Sequence, residues 1–322
     1  MRNLKFIFSL VIISSLFLLA ACGNNDTKEE SNDNGDKKEK ESYTIKHAMG
    51  ETEIKGTPER VVILTNEGTE ALLSMGVTPV GAVQSWTGDP WYDHIAEKMD
   101  GVEVVGTESE LNIEAIAKLK PDLIIGNKMR QEEQYEKLKA IAPTVFAETL
   151  RGDWQENFEL YAKALNKEEK GKEVIAEYTQ RIEDLKSKLG DKLNQKISMV
   201  RFMAGEARIY HKDSFSGVIL EQLGFARPEG QDVDDFAEKG VTEERIPEMD
   251  GDVLFYFTYE TGDGEGNAMA EKYLNHPLFK KLEASKNGKV YEVSDTIWNT
   301  AGGVIAANEM LDDIEKHFLE KE

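Results

Sequence analysis

Short runs of consecutive apolar residues alternate along the chain with segments whose apolar positions recur three and four apart, the signatures of buried strands and one-sided helices. Val61 to Leu64, Val80 to Val83, Gly101 to Gly106, Leu123 to Ile125 and Thr144 to Phe146 predict five strands in the first half. Between them Glu70 to Met75 suits a helix closed by Gly76, Ile113 to Leu119 an amphipathic helix stopped by Pro121, and Tyr135 to Ile141 a helix ahead of Pro143. In the second half Ile197 to Met203, Val253 to Phe257 and Val290 to Val293 predict strands, and Gly217 to Leu223 and Gly302 to Phe318 predict helices. Ahead of all these, Tyr43 to His47 and Glu53 to Lys55 flank Gly50 as a hairpin. This alternation predicts an α/β fold of mostly parallel sheets covered by helices.

Lys167 to Leu189 divides the two halves. Val174, Ile175, Tyr178, Ile182, Leu185 and Leu189 form one apolar stripe, with charged and polar residues on the other faces. Asn166 with Glu169 three residues on is a capping signature, and Gly190 stands where a left-handed C-terminal residue belongs. At about 1.5 Å per residue the helix spans roughly 35 Å. The reading is a strut: an N-terminal lobe (residues 43–165), a linking helix (166–190) and a C-terminal lobe (191–322). A surface helix of one large domain would show the same stripe. Asn112 to Ile124 can be laid without gaps on Thr242 to Leu254, matching Glu114 with Glu244, Ile116 with Ile246, Leu119 with Met249 and Asp122 with Asp252. A shared helix-turn-strand recipe could by itself produce that match.

Charge and cysteine narrow the function. The formal net charge is −22, and losing Arg2 and Lys5 with the leader takes it to −24, so nucleic acid and anionic surfaces are poor partners for the body. Cys22 is the sole cysteine, which leaves no intramolecular disulfide and no Cys-rich metal site. Arg2 and Lys5 precede an apolar run from Phe6 to Leu19, too short for a roughly 30 Å hydrocarbon core and suited to an export signal over residues 1–21. Leu19, Ala20, Ala21 and Cys22 resemble the bacterial lipobox, which implies cleavage before Cys22 and a lipid on its sulfur. Residues 22–42, free of large apolar side chains after the cysteine, predict a tether holding the body at the outer face of the cell membrane.

In open parallel sheets ligands sit beyond the carboxyl ends of the strands. Trp86, Arg130 and Arg151 follow strands of the first lobe. Arg201 lies within or at the end of the Ile197 strand, Tyr259 follows the Val253 strand, and Trp298 and Asn299 follow the Val290 strand. Arg208, Tyr210, His211 and Phe215 are expected in a loop before the Gly217 helix. Guanidinium forks grip oxygens in pairs while aromatic faces pack on apolar surface, which suits a bulky, oxygen-rich anion.

These residues carry a resemblance. From Tyr43 onward the chain resembles the iron-siderophore-binding lipoproteins of ABC importers, two Rossmann-like lobes joined by one long helix. It does so in the lipobox, Arg60 to Leu64 with Glu70 to Gly81, Asn112 to Gly126, Ile141 to Thr144, Ser216 to Phe225 and Trp298 to Gly303. Asn127 to Arg130, Leu150 to Trp154 and the Trp298 stretch look most like members taking ferric hydroxamates, including citrate-based ones. The resemblance implies a monomer that delivers a ferric siderophore to ABC permease subunits. In that family a glutamate on each lobe meets the permease, and Glu114 and Glu244 hold the matching positions, with Glu243 a one-residue ambiguity. Iron in such a ligand has its oxygen ligands from the chelator, so neither a protein metal site nor a cofactor is expected.

Rival classes remain. A haem or cobalamin binder of the same fold could use the same aromatics and arginines. A bare-metal carrier needs converging imidazoles and carboxylates, whereas His47, His94, His211, His276 and His317 are scattered. No Gly-x-Ser-x-Gly elbow, His-Glu-x-x-His pair or Gly-Lys-Ser/Thr phosphate loop occurs, so no enzyme is expected.

Overall fold

The apolar runs become two five-stranded sheets in a computed structural model of the chain, which describes residues 41–320. The leader, Cys22 and the expected tether as far as residue 40 lie outside the described residues. The hairpin forms from β1 (Ser42–His47) and β2 (Gly50–Lys55), Ser42 already pairing with Lys55 one residue before the expected onset.

The first sheet contains β3 (Val61–Ile63), β4 (Gly81–Ala82), β5 (Glu103–Val104), β6 (Leu123–Asn127) and β7 (Thr144–Ala147). Its order is β5-β4-β3-β6-β7 and every pairing is parallel. The strands β3, β6 and β7 are buried along their whole length, which is why each reads as an unbroken apolar run and not as an alternation.

The second sheet contains β8 (Ile197–Met203), β9 (Glu206–Tyr210), β10 (Ala237–Glu238), β11 (Val253–Thr258) and β12 (Val290–Glu292), in the order β10-β9-β8-β11-β12. Only β8, β11 and β12 run parallel; β9 and β10 are antiparallel. This corrects the expected loop at Arg208 and Tyr210, which lie in β9. Met203 pairs with Glu206 across a turn of Ala204 and Gly205, and Gly205 supplies the positive φ (69°) that a two-residue hairpin needs.

Six helices matter for the site: α1 (Asn66–Ser74), α2 (Ile113–Lys118), α3 (Trp154–Ala164), α4 (Glu168–Leu189), α5 (Phe215–Leu223) and α6 (Val304–Leu319). Phe215 opens α5 after the capping Ser214, so it too is not in a loop. The long helix forms without its expected cap: Lys167 is the N-cap with no side-chain bond, while Asn166 adopts φ 54° and its amide reaches Thr57 Oγ1 at 3.0 Å. Gly190 does take a positive φ, 53°.

The helix α4 is not a free-standing strut. Tyr178, Ile182, Leu185 and Leu189 are buried in a core cluster that runs through both lobes. Trp154 of α3 meets Tyr178 edge-on at 5.0 Å, and the Tyr178 hydroxyl donates to Gln222 on α5 at 2.6 Å. Gln222 in turn donates to Gln155 on α3, closing a seam of three helices. On the far side Glu70 of α1, fully buried, accepts from the backbone N–H of Ile305 and Ala306 at the start of α6, both at 2.9 Å, and takes His94 Nε2 at 2.5 Å. Gly303 lets the two come together, since a Cβ there would lie 2.6 Å from that of Glu70.

Candidate ligand-binding site

A cavity of about 480 Å³ opens between the two sheets, within the range of small-ligand sites. Its wall combines Trp86, Glu108, Arg130 and Arg151 from the first lobe with Arg201, Arg208, Tyr210, Phe215, Tyr259 and Asn299 from the second. The β-sheet period explains the second-lobe set. Arg201 and Met203 alternate with Val200 and Phe202, and Arg208 and Tyr210 with Ala207 and Ile209; the latter of each pair enter the core on the opposite face.

Arg201 and Arg208 are direct cross-strand partners, an arrangement that like charges disfavour. Each has its own counter-charge. Arg201, 8% exposed, forms a two-pronged ion pair with Asp295 at 2.6 and 2.9 Å and lies 4.8 Å from the Tyr259 ring centre. Arg208 pairs with Glu206 at 2.6 Å.

The first-lobe arginines are held more loosely. Arg130 is exposed, lies 5.8 Å from the Trp86 ring and meets Glu108 at 3.5 Å. Arg151 adopts φ 81°, a left-handed position that costs an L side chain about 1 kcal/mol, and stacks at 3.9 Å on Phe236 of the opposite lobe. Gly152 beside it permits the crossing, because a Cβ would come within 2.6 Å of Asp213 Oδ1.

Two carboxyls also face the cavity. Glu67 and Glu108 are 6% and 4% exposed. Burial pushes Glu67 well above the ordinary carboxylate range, against hydrogen bonds from Asn157 and Tyr161. Burial also raises Glu108, offset in part by donors from Asn66 and by Arg130.

Two expected residues are absent from this wall. Trp298 is fully buried, packs 4.6 Å from Phe255 and donates its indole N–H to Asp313 at 2.8 Å. Thr296–Thr300 is a single π-helical turn, so Trp298 enters the core while Asn299 faces the cavity. His211 follows β9 on the side away from Tyr210, buried and bonded to Asp235. Sequence reasoning passed over Glu67, Glu108, Phe236 and Lys239. The residue types carried the only signal for the last two, which flank a two-residue strand with no readable period.

The sequence profile of the periplasmic binding proteins matches residues 61–296. The chain belongs to the periplasmic binding protein family. It is 53% identical to the probable siderophore-binding lipoprotein YfiY of Bacillus subtilis (strain 168), over 96% of each chain. The Fe(3+)-citrate-binding protein YfmC of the same organism is 33% identical over 97% of this chain and 98% of its own. Among solved structures, Staphylococcus aureus SirA complexed with staphyloferrin B aligns at a TM-score of 0.80 and 34% identity, over 85% of this chain and 98% of that one.

The glutamates matched between the paired segments do not line the cavity. Glu114, in the first turn of α2, is exposed. Glu243 is engaged by Lys272, whereas Glu244 is exposed and makes no ion pair among the described residues. Local backbone and Thr242 donors hold Glu244 below the usual carboxylate range. No group of three or more metal-ligating side chains occurs among the described residues, and no described helix is long and apolar enough to cross a membrane.

Proposed function

We propose that the chain captures a ferric siderophore in the cavity between its lobes and delivers it to an ABC permease for iron uptake. The observation that carries this reading is the convergence of Arg130, Arg151, Arg201 and Arg208 with Trp86, Tyr210 and Tyr259 on one cavity in a chain whose net charge is −22. A locally basic, aromatic pocket selects an anionic, oxygen-rich ligand of some apolar bulk. The chelator supplies the iron with its oxygen ligands; the protein recognises shape and charge, and no catalytic role is assigned to it.

The relatives support a siderophore over haem or cobalamin. Within siderophores, a hydroxamate or citrate-hydroxamate chelate fits best, and the relative named for ferric citrate supports the citrate-containing form. Glu114 and Glu244 are the permease-docking residues, each exposed and at matching points of the paired segments. Cleavage before Cys22, lipidation of its sulfur and a tether ending ahead of the hairpin at Ser42 hold the monomer at the outer face of the membrane. The relative named as a lipoprotein supports this.

A fluorescence-quenching screen of ferric hydroxamate, citrate-hydroxamate and catecholate complexes tests the reading. Submicromolar binding of a hydroxamate or citrate-hydroxamate is expected, on the order of −8 kcal/mol or better. Preference for the catecholate, or for haem, contradicts it.

A further inference from the structure

One carboxyl group in the cavity wall has no cation of its own among the described residues. Glu67 sits in the first turn of α1, lines the cavity, and makes no ion pair among the described residues. Its Oε1 accepts from Asn157 Nδ2 at 3.0 Å and from the Tyr161 hydroxyl at 3.2 Å. Its Oε2 has only a longer share of that same amide, at 3.2 Å, and the amide is already committed to Thr149 O at 2.8 Å. One oxygen is therefore satisfied by donors while the other is left nearly free.

The surrounding charges decide the protonation state. The α1 N-terminus and Arg130 and Arg151, which line the same cavity, favour an anion. Glu108 on one side and Asp153 before α3 oppose it, and the glycines facing it from the second lobe, Gly302 and Gly303, bring no charge. Burial without a touching cation outweighs the dipole, since an unpaired carboxylate loses its water and gains nothing comparable.

We propose that Glu67 is a specificity-determining residue: held as the neutral acid, it donates a hydrogen bond from Oε2 to a carboxylate or hydroxamate oxygen at the inner end of the chelate. This rests on the capture reading and adds to it. The arginines attract any anion of the right size, whereas a single proton at a fixed point selects one that places an unshielded oxygen there. Loading is then coupled to a proton, and affinity falls once the pH is high enough to ionise Glu67 beside a negative ligand.

The test uses Glu67→Met, near in volume but unable to donate, and Glu67→Gln, whose amide donates without titrating. A ferric citrate-hydroxamate complex and ferric citrate serve as probes, by fluorescence quenching from neutral to alkaline pH. Glu67→Met is expected to weaken the better probe about tenfold to a hundredfold, and Glu67→Gln to recover most of that loss. The wild type loses affinity relative to Glu67→Gln as the pH rises. Tighter binding by both variants would show a charged, repelling Glu67, and identical binding by all three would show no contact; either overturns the proposal. Infrared spectra of the ligand-free protein read the proton separately, through a neutral-acid carbonyl band that Glu67→Gln removes. Absence of that band overturns the proposal whatever the titrations give, whereas a wild type that binds neither probe overturns the capture reading beneath it.

Discussion

Arg201 and Arg208 in the second lobe face each other across two strands, and each carries a carboxylate from its own chain. In the first lobe Arg130 and Arg151 rest mainly on aromatic rings, one of them across the cleft. The sheets account for the contrast. Neighbouring antiparallel strands force the second-lobe guanidiniums into register, where they must be neutralised before the fold is tolerable. The first sheet is wholly parallel and sends its arginines out on short helical turns beyond its strands, where solvent screens them. One lobe therefore offers a prebuilt, rigid wall and the other offers more loosely held charge to pair with a ligand.

Breaking the second-lobe pair should have the largest effect. Arg201→Ala leaves Asp295 buried without a partner, so urea unfolding should show a loss of about 3–5 kcal/mol. An unchanged midpoint would mean that the wall is not load-carrying.

The first-lobe arginines should behave in the opposite way. Arg130→Ala and Arg151→Ala should each weaken ferric siderophore binding about tenfold or more in fluorescence titrations, with little change in melting temperature. A stability loss larger than the affinity loss would erase the distinction between the lobes.

The brace between the lobes is pH dependent. Burial opposes charge on His94, but the bond and charge of Glu70, with Glu309 and Asp93, raise its pKa above the ordinary value. A raised histidine pKa contributes stability that is full below about pH 6.5 and is lost as the pH rises through the folded value. Stability measured from about pH 5.5 to about pH 8.5 should decline in the wild type, and Glu70→Gln should flatten that decline. The smallest effect on the isolated protein belongs to the two glutamates proposed to dock the permease. Alanine at Glu114 and Glu244 should change stability by only a few tenths of a kcal/mol and leave binding alone, while iron uptake by cells falls.

The parallel strands were legible because burial on both faces leaves consecutive apolar residues, and Arg130 and Arg151 because they follow the ends of β6 and β7, whereas Arg208 lies inside a strand that the sequence pattern left unread. The paired segments proved physically informative as well. Asp122 accepts from the backbone N–H of Glu59 and Arg60, just before β3, and Asp252 accepts from Lys196, just before β8. The matched aspartates thus fasten the same strand start in each lobe, although Pro247 makes the second helix a 3₁₀ turn.

What sequence missed has equally local causes. The helix α3 left a readable pattern in Trp154, Phe158, Tyr161 and Leu165, all buried, with polar residues between them. The capping signature at Asn166 failed because a left-handed backbone turned its side chain toward Thr57. Trp298 and Asn299 show the limit of the strand-end rule, since one helical turn sends adjacent residues to opposite sides.

Calorimetric titration of the protein with a preassembled ferric citrate-hydroxamate complex, with the same chelator free of iron, and with uncomplexed ferric ion tests the central claim most directly. The account predicts one molecule of the complex bound per chain, weaker binding of the bare chelator and no saturable site for the ion. A ferric ion that binds as tightly alone as in its chelate would contradict it.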